Sequence, residues 1–389
     1  MSFYWFSPRK WVLFGLVAIF ISLLIYGCGV KDSPPVPSVT VSYTPAPIPT
    51  QTATQALSPT PKPSASSTLA PTWTSTPTPT FTPEPLTVFT STVLREGILP
   101  STYITESCKF LSLRWSSDGS PPGTSVAVIM FHSILKPGRT VSDDTSITEE
   151  QFQDFIQYAH SLGFQTITTL QLNDFLLQNT RIPPRSMVMI IDDRRVGTVE
   201  SYFMPVLELY NWTVTMGWNI DDTDAALWKR VEVLFATGRV DIQSHGYWHR
   251  YLVETTPEED VRQEIFGPIP VMQEQIGQRP TSFIWPGGNF TPLSVQIAHE
   301  AGYNLGFTAF SRGPIQFNWI PLGEKERLIQ DPLMVLPRFW DTALGVNLDI
   351  TVRAAEQARQ FAIQNYEQEA RIYRNSCGGE LPALEDVFP

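Results

Sequence analysis

The chain has 389 residues, and its 38 acidic and 27 basic residues give a formal net charge of −11. This surplus of negative charge argues against a nucleic-acid backbone as a partner. The length is enough for about two domains, but the first hundred residues contain too little apolar sequence to build a core.

Residues 1–28 are predicted to be a lipoprotein-type signal peptide. Arg9 and Lys10 are followed by an uncharged run over residues 11–26, which has the length of a secretory h-region and is short for a bilayer-spanning helix. The run ends in Ile-Tyr-Gly-Cys, which resembles a bacterial lipobox with Cys28 as the lipidated residue. We therefore expect an extracytoplasmic protein anchored to the membrane by this lipid, with an uncleaved membrane anchor as the alternative.

Residues 29–100 are predicted to be a disordered linker. Threonine, proline, serine and alanine dominate this stretch, so it buries too little apolar surface to offset the entropy of the chain. Proline keeps such a segment extended. We expect a tether between the membrane and the folded part of the chain.

The folded domain is predicted to span residues 101–375. Helix-capping signals at Thr148, Thr256 and Thr291 alternate with apolar runs of strand-like composition. Eight such runs occur, at residues 126–130, 165–169, 187–191, 212–218, 240–243, 282–285, 305–310 and 334–339. Strand–helix alternation indicates an α/β fold with a parallel sheet, and eight runs favour its closure into a barrel.

Polar residues of catalytic type follow the ends of several predicted strands. In chain order they are His132, Asp192, Asp193, His245, His249 and Pro286-Gly287-Gly288. The carboxyl ends of the strands in a parallel barrel meet at one rim, which is where such barrels carry their chemistry. We therefore expect these residues to lie close together.

His245 and His249 are four residues apart, so on a helical turn both imidazoles would face one metal ion. A packed or solvated helix face is the alternative. One carboxylate of Asp192–Asp193 would complete the ligand set, and the other, pointing elsewhere, would act as a general base. His132 is the candidate general acid. Zinc or a similar divalent ion suits such donors.

The two remaining cysteines lie at the two ends of the predicted domain. Cys108 precedes the first strand, and Cys377 follows a polar helix predicted at residues 351–373. In an oxidising compartment we expect these cysteines to form a disulfide, with two free thiols as the alternative. Residues 376–389 are predicted to be a C-terminal tail.

This constellation resembles the polysaccharide deacetylases, the NodB-homology family of metal-dependent carbohydrate esterases, over about Ser125–Asp341. Ile190–Arg194 is similar to the family's first motif, Thr-Phe-Asp-Asp-Gly, His245–His249 to its second, and Phe283–Gly288 to its third. The resemblance implies an irregular (β/α) barrel. It also implies that Asp192 is the general base and that Asp193, His245 and His249 hold the metal.

Within the family, the chain is most similar to the branch that acts on poly-N-acetylglucosamine. Met130-Phe131-His132 resembles the Met-Tyr-His strand end that carries the general acid, and Leu336-Pro337-Arg338 resembles a later motif. Two positions depart from the family: Arg194 replaces a glycine, and Ile284 replaces an arginine that partners the base, a role that Arg338 could fill instead. The residues expected to bind substrate are Trp248, Trp285, Pro286, Gly287 and Arg338.

The sequence therefore predicts a metal-dependent deacetylase that acts on an extracellular or cell-wall polysaccharide of the N-acetylglucosamine type. A catalytically silent, glycan-binding lipoprotein is one alternative, and a metal-dependent amidase that acts on a non-sugar amide is another. Neither the oligomeric state nor the choice between N- and O-linked acetyl groups is predicted.

Overall fold

A computed structural model describes residues 85–340 and 344–388, which belong to one compact unit, Pro77–Pro389. The predicted signal peptide of residues 1–28, including Cys28, and most of the predicted linker lie outside the described residues. Within the described ranges, no helix combines the length and the hydropathy of a bilayer-spanning segment.

The strands of the described residues are mostly short. They are β1 Leu99–Ser101, β2 Ser125–Phe131, β3 Ser133–Leu135, β4 Ser146–Thr148, β5 Gln165–Thr166, β6 Arg185–Ile191, β7 Val214–Trp218, β8 Val240–Ser244, β9 Ser282–Ile284, β10 Leu305–Phe307, β11 Ile315–Gln316, β12 Ile320–Leu322 and β13 Phe339–Trp340.

Helices lie between most of the strands. They are α1 Ser107–Arg114, α2 Glu149–Ser161, α3 Thr169–Gln178, α4 Val196–Thr198, α5 Met204–Tyr210, α6 Ala225–Ala236, α7 Glu258–Phe266, α8 Pro268–Ile276, α9 Pro292–Glu300, α10 Glu324–Ile329, α11 Leu344–Cys377 and α12 Leu384–Val387. A π-helical turn at Val199–Phe203 joins α4 to α5, and short 3₁₀ turns lie at Pro286–Gly288 and Pro332–Val335.

The central sheet is a curled, mainly parallel sheet with the strand order β10-β9-β8-β7-β6-β2-β11. The segment Leu336–Trp340 links β10, at one edge of this sheet, to β2 near the other edge. Leu336 forms a parallel bridge with Phe307 of β10, and β13 pairs in parallel with Ile129 and Met130 of β2. The strands β2, β6, β7, β8, β9 and β10 form an irregular barrel together with this segment. The predicted α/β barrel class is therefore confirmed.

Both faces of the sheet are buried, which explains why the strand sequences are continuous apolar runs. Successive side chains of a strand point to opposite faces. Val126 and Val128 of β2 pack with Ile284 and Leu336 in the cluster that includes side chains from several barrel strands. The intervening residues of β2, such as Ile129, pack in the cluster that contains side chains of the surrounding helices.

Three local predictions are wrong because backbone groups pair differently. The run at residues 165–169 ends as a strand at Thr166, since Thr168 accepts a hydrogen bond from the backbone N–H of Gln171 and caps α3. The run at 334–339 begins as a 3₁₀ turn and pairs with β2 only from Phe339. Thr256 does not cap α7, because its hydroxyl bonds the backbone of Val253 and Tyr251.

The folded part of the chain begins before the predicted boundary at residue 101. Phe89 is buried, and its ring centroid lies 5.4 Å from that of Trp319 and 5.5 Å from that of Phe361. Residues 85–100 are therefore not a free linker, because Phe89 packs against Trp319 and against Phe361 of α11.

The C-terminal residues also pack more closely than predicted. The long helix extends over Leu344–Cys377 rather than residues 351–373, and its end is joined to α1 by a disulfide between Cys108 and Cys377. Val387 is buried, and Phe388 contacts Trp115 edge to face. Residues 376–388 therefore pack on the domain and do not form a free tail.

Candidate active site

The carboxyl ends of β2, β6 and β8 bring the predicted catalytic residues together. His132 follows β2, and its Nε2 lies 3.6 Å from Oδ2 of Asp192, the residue after β6. His245 follows β8, and its Nε2 lies 3.9 Å from Oδ2 of Asp192 and from Oδ1 of Asp193. The sequence therefore placed these side chains on the correct rim of the barrel.

Asp193, His245 and His249 are positioned to share one metal ion. One ligand atom from each lies within 4.8 Å of the others, and the described residues contain no other group of this kind. Nε2 of His249 is 3.5 Å from Oδ1 of Asp193. Both Asp193 and His249 have a φ of 65°, a left-handed conformation that non-glycine residues adopt rarely and often at functional sites.

His245 has the protonation state that a metal ligand needs. Its Nδ1 lies 2.8 Å from the carbonyl oxygen of Ile284, and because a carbonyl only accepts, Nδ1 carries the proton. Nε2 then holds a lone pair, and this buried atom has no hydrogen-bond partner among the described residues. Burial lowers the pKa of His245 to about 4, so the ring is neutral at neutral pH. A buried, unpartnered acceptor fits a metal ion.

The prediction that His245 and His249 share a helical turn is wrong. Residues 245–250 form an irregular turn around the buried carboxylate of Glu264 on α7. This carboxylate accepts the backbone N–H of Tyr247 at 2.8 Å and those of Trp248 and Arg250 at 3.0 Å. The turn therefore holds the second imidazole against Asp193 without helical geometry.

Gly246 makes this turn possible. Its φ is +90°, and a Cβ atom on it would lie 2.2 Å from Oε2 of Glu264. Any other residue would have to displace the carboxylate that organises the turn. Glu264 could not be found from the sequence, because an acidic residue on an amphipathic helix usually faces solvent.

Asp192 is held as an anion beside the ligand set. It is 1% exposed, and its Oδ1 accepts a hydrogen bond of 2.6 Å from Nη1 of Arg338. Burial alone would raise the pKa of Asp192, but Arg338, His245 and His132 outweigh this effect and hold the pKa well below its usual range. The second oxygen, Oδ2, is the one that faces the two histidines.

Arg338 and Trp285, both predicted to bind substrate, are buried in the structure, and Arg338 instead takes the other role expected of it, as the partner of the base. Arg338 is 1% exposed, and its Nε donates to the carbonyl oxygen of Thr308. It partners Asp192, as the arginine replaced by Ile284 would. Trp285 is fully buried and donates from Nε1 to the carbonyl oxygen of Met334, so it is a core residue.

The three other predicted substrate-binding residues differ in exposure. Pro286 is buried, and its Cγ would lie 3.4 Å from a Cβ atom on Gly246, so it supports the turn rather than meeting a substrate. Gly287 is exposed and Trp248 is half-buried beneath the guanidinium of Arg250. A contact of Gly287 or Trp248 with substrate stays a prediction.

Gly217 of β7 leaves the space that Asp192 occupies. A Cβ atom on Gly217 would lie 3.3 Å from Oδ1 of Asp192 and 3.0 Å from Cδ1 of Ile284. A glycine inside an apolar strand often marks a close approach, and this signal was available in the sequence.

The two arginines after Asp193 have different surroundings. Nη2 of Arg195 lies 3.3 Å from Oδ2 of Asp193, which leaves Oδ1 of the same carboxylate facing the histidines. Arg194 is half-buried, and its Nη1 has no hydrogen-bond partner among the described residues. The replacement of the motif glycine by Arg194 therefore leaves the ligand set intact.

The sequence of the barrel matches a known family over the strands that carry the site. Residues 180–306, which contain Asp192, Asp193, His245 and His249, match the sequence model of the polysaccharide deacetylase family. This part of the chain is similar in sequence to polysaccharide deacetylases. His132 and Arg338 lie outside the matched residues.

The same family recurs among individual relatives. The YxkH protein of Bacillus subtilis (strain 168), which carries a provisional polysaccharide deacetylase name, is 21% identical over 184 residues, or 46% of this chain and 63% of the relative. The chain thus spans less than two thirds of the length of this relative.

Solved structures that are similar to this chain include one from Streptococcus pyogenes and one from Ammonifex degensii. The deacetylase PplD of Streptococcus pyogenes, in complex with acetate, has 17% identity and a TM-score of 0.49 over 59% of this chain and 98% of its own. IcaB of Ammonifex degensii has 17% identity and a TM-score of 0.45 over 61% of this chain and 97% of its own.

Proposed function

We propose that the domain is a metal-dependent hydrolase that removes acetyl groups from an N-acetylglucosamine-type polysaccharide of the cell surface or cell wall. The observation that carries the proposal is the arrangement of Asp192, an ionised carboxylate, beside the ligand set of Asp193, His245 and His249. This arrangement lies in residues 180–306, which match the polysaccharide deacetylase family model. It supplies a base and a metal site at one point of the rim.

The donor set supports a divalent ion, and zinc is the one we expect. Two imidazoles and one carboxylate are a common ligand set for catalytic zinc, which keeps further positions open. A metal bound by Asp193, His245 and His249 would polarise the acetyl carbonyl and lower the pKa of a water molecule. The buried, unpartnered Nε2 of His245 supports this assignment.

Asp192 acts as the general base in this proposal. Its Oδ1 is occupied by Arg338, so Oδ2 is the oxygen that takes the proton of the attacking water. The oxygen of that water forms a bond to the acetyl carbon, and the bond from this carbon to the sugar nitrogen then breaks. The fixed guanidinium keeps the carboxylate ionised before each turnover.

His132 protonates the leaving nitrogen. Burial lowers its pKa even though Asp192 opposes the effect, so the ring is neutral at rest and must first receive a proton. Nε2 of His132 lies 3.6 Å from Oδ2 of Asp192, which makes the proton taken from water the natural source. Catalytic contacts of this kind shorten when substrate binds.

The location proposed for the enzyme is outside the cytoplasmic membrane, attached through Cys28. The signal-like pattern of residues 1–28 supports this location. The disulfide between Cys108 and Cys377 adds support, since structural disulfides persist mainly in oxidising compartments.

The test is acetate release by the full chain purified in detergent. N-acetylglucosamine oligomers and peptidoglycan serve as substrates, and metal content is measured on the same sample. We expect one bound metal, and acetate release that is lost in Asp192→Asn but kept in Asp118→Asn, which changes an exposed carboxylate away from the site. Bound metal without acetate from any glycan would favour the amidase or the silent glycan-binding protein. A folded, metal-supplemented protein that binds no metal would refute the mechanism.

A further inference from the structure

We infer that Tyr251 is the stacking platform for a pyranose ring of the substrate, next to the metal ligands. The inference rests on the proposed function, because it names the residue that would hold the sugar. Tyr251 lies two residues after the ligand His249, and the centroids of the two rings are 6.0 Å apart. Its side chain is 57% exposed, unlike the buried rings of Trp218 and Trp285.

A shallow, open groove lies beside the ligand His249, along the loop that carries Tyr251. It has a volume of about 490 Å³, and its lining residues include His249, Tyr251, Thr256 and Asp260. A sugar bound in this groove would therefore touch both the aromatic ring and a metal ligand.

The ring of Tyr251 lies against the backbone of the third sequence motif. Gly287 has a φ of +60°, and a Cβ atom on it would lie 2.7 Å from Cε1 and 2.9 Å from Cζ of Tyr251. Only glycine lets the ring approach the backbone this closely. Thr256 donates from its hydroxyl to the carbonyl oxygen of Tyr251 and fixes the backbone on the other side. An aromatic ring positioned in advance loses little entropy when it binds.

The chemistry of the groove suits an uncharged sugar. Arg250 forms an ion pair with Asp260 and lies over the ring of Trp248 at 4.6 Å, so the two charges of the groove neutralise each other. The hydroxyl of Tyr251 makes no hydrogen bond within the described part of the chain, and it is free to bond a sugar hydroxyl. Aromatic rings with one polar tip suit surfaces that are apolar on one side and wet on the other.

A single exposed aromatic ring is common on protein surfaces and needs no function by itself. Tyr251 differs in its place, since it contacts the exposed motif glycine Gly287 and neighbours a metal ligand. Val253, on the same loop, is 43% exposed but does not line the groove. It provides a matched control.

The experiment measures binding of penta-N-acetylchitopentaose by calorimetry, with the metal-loaded full chain carrying Asp192→Asn so that the oligomer is not consumed. We expect Tyr251→Ala to weaken binding about tenfold, which corresponds to about 1.4 kcal/mol. Tyr251→Trp should recover most of the affinity, and Val253→Ala should not change it. In chains with Asp192 intact, Tyr251→Ala should raise KM for acetate release more than it lowers kcat. Metal content should be unchanged in every variant.

Binding of the oligomer tests the stacking role of Tyr251, whereas acetate release tests the proposed deacetylase activity. The inference about Tyr251 would be overturned if the Asp192→Asn protein did not bind the oligomer. It would also be overturned if adding Tyr251→Ala to that protein left its affinity for the oligomer unchanged. Both outcomes hold whatever acetate release shows. Acetate release by the native chain together with either result would leave the proposed function standing. Tyr251-dependent binding without acetate release would support the glycan platform and refute the deacetylase activity.

Discussion

Nη1 of Arg338 lies 2.6 Å from Oδ1 of Asp192, and the side chains of the two residues are only 1% and 2% exposed. The pair joins two distant parts of the chain, since Asp192 follows β6 and Arg338 lies in the segment that links β10 to β2. Breaking a buried ion pair leaves one charge without a partner, which is costly. This contact therefore affects both stability and the state of the base.

Arg338→Met should reduce both activity and stability. Loss of the guanidinium leaves Asp192 buried and unpaired, and we expect the free energy of unfolding to fall by about 3–5 kcal/mol. We expect kcat to fall at least tenfold, since a positioned base contributes about 10²–10⁴-fold. Urea unfolding and initial rates of acetate release measure the two effects. In a protein that already carries Asp192→Asn, Arg338→Met should lower the free energy of unfolding by less. An equal loss of unfolding free energy with and without Asp192→Asn would contradict an energetic coupling between the two residues.

The dependence of stability on pH should reverse in this variant. In the native, metal-free protein the pKa of Asp192 is below its ordinary value, so the pair stabilises fully above about pH 4 and less as the pH falls further. Without Arg338 the effect of burial dominates and raises this pKa, so the folded state would become more stable as the pH falls from 7 towards 4. Urea unfolding with a chelator over pH 2–8 measures both slopes, and parallel curves would refute the prediction.

Glu264→Gln should weaken metal binding more than it weakens the fold. The amide can replace only one of the two carboxylate oxygens as an acceptor, and its NH₂ group would face a backbone N–H of Tyr247, Trp248 or Arg250. The turn that carries His249 then loosens, and we expect metal affinity to fall about 10–100-fold. Glu259→Gln, an exposed position on the same helix, is the control. Equal metal affinity in the two variants would contradict this role of Glu264.

Gly246→Ala should abolish metal binding, whereas Gly277→Ala should not. Both glycines have positive φ, at +90° and +70°, so each substitution carries a backbone cost of about 1–2 kcal/mol. Only at Gly246 does the new Cβ meet another group, Oε2 of Glu264 at 2.2 Å, while nothing lies within 4 Å at Gly277. Metal titration and thermal melting of both variants separate strain from collision, and similar metal affinities would show that the turn can relax.

Replacing both cysteines by serine should lower stability and leave the site unchanged. The disulfide joins Cys108 to Cys377 across 269 residues of sequence, and loss of such a bridge costs about 2–5 kcal/mol. Neither cysteine lies on the rim that holds the metal ligands, so metal affinity should stay the same. Thermal melting and metal titration of the double variant test this prediction. A loss of metal affinity would show that the bridge also supports the barrel rim.

The barrel could be predicted from the sequence because strands buried on both faces are continuous apolar runs. Residues that cap the intervening helices, such as Thr148 and Thr291, separate these runs. The sequence also placed His132, Asp192 and His245 on one rim, since strand ends in a parallel barrel share an edge. It could not predict the turn at Gly246, whose conformation depends on Glu264 from a later helix. It misplaced Trp285 because an aromatic residue in a core and one in a groove have the same sequence signature.

The segment Leu336–Trp340 has a consequence for how the protein matures. All four residues of the base and the ligand set are present once the chain has been synthesised to residue 249, but Arg338 follows almost ninety residues later. Until that segment pairs with both β10 and β2, these two strands are not joined and Asp192 lacks the guanidinium of Arg338. A nascent chain could thus gather the metal ligands well before its base becomes competent, so hydrolysis would begin only when the barrel is complete.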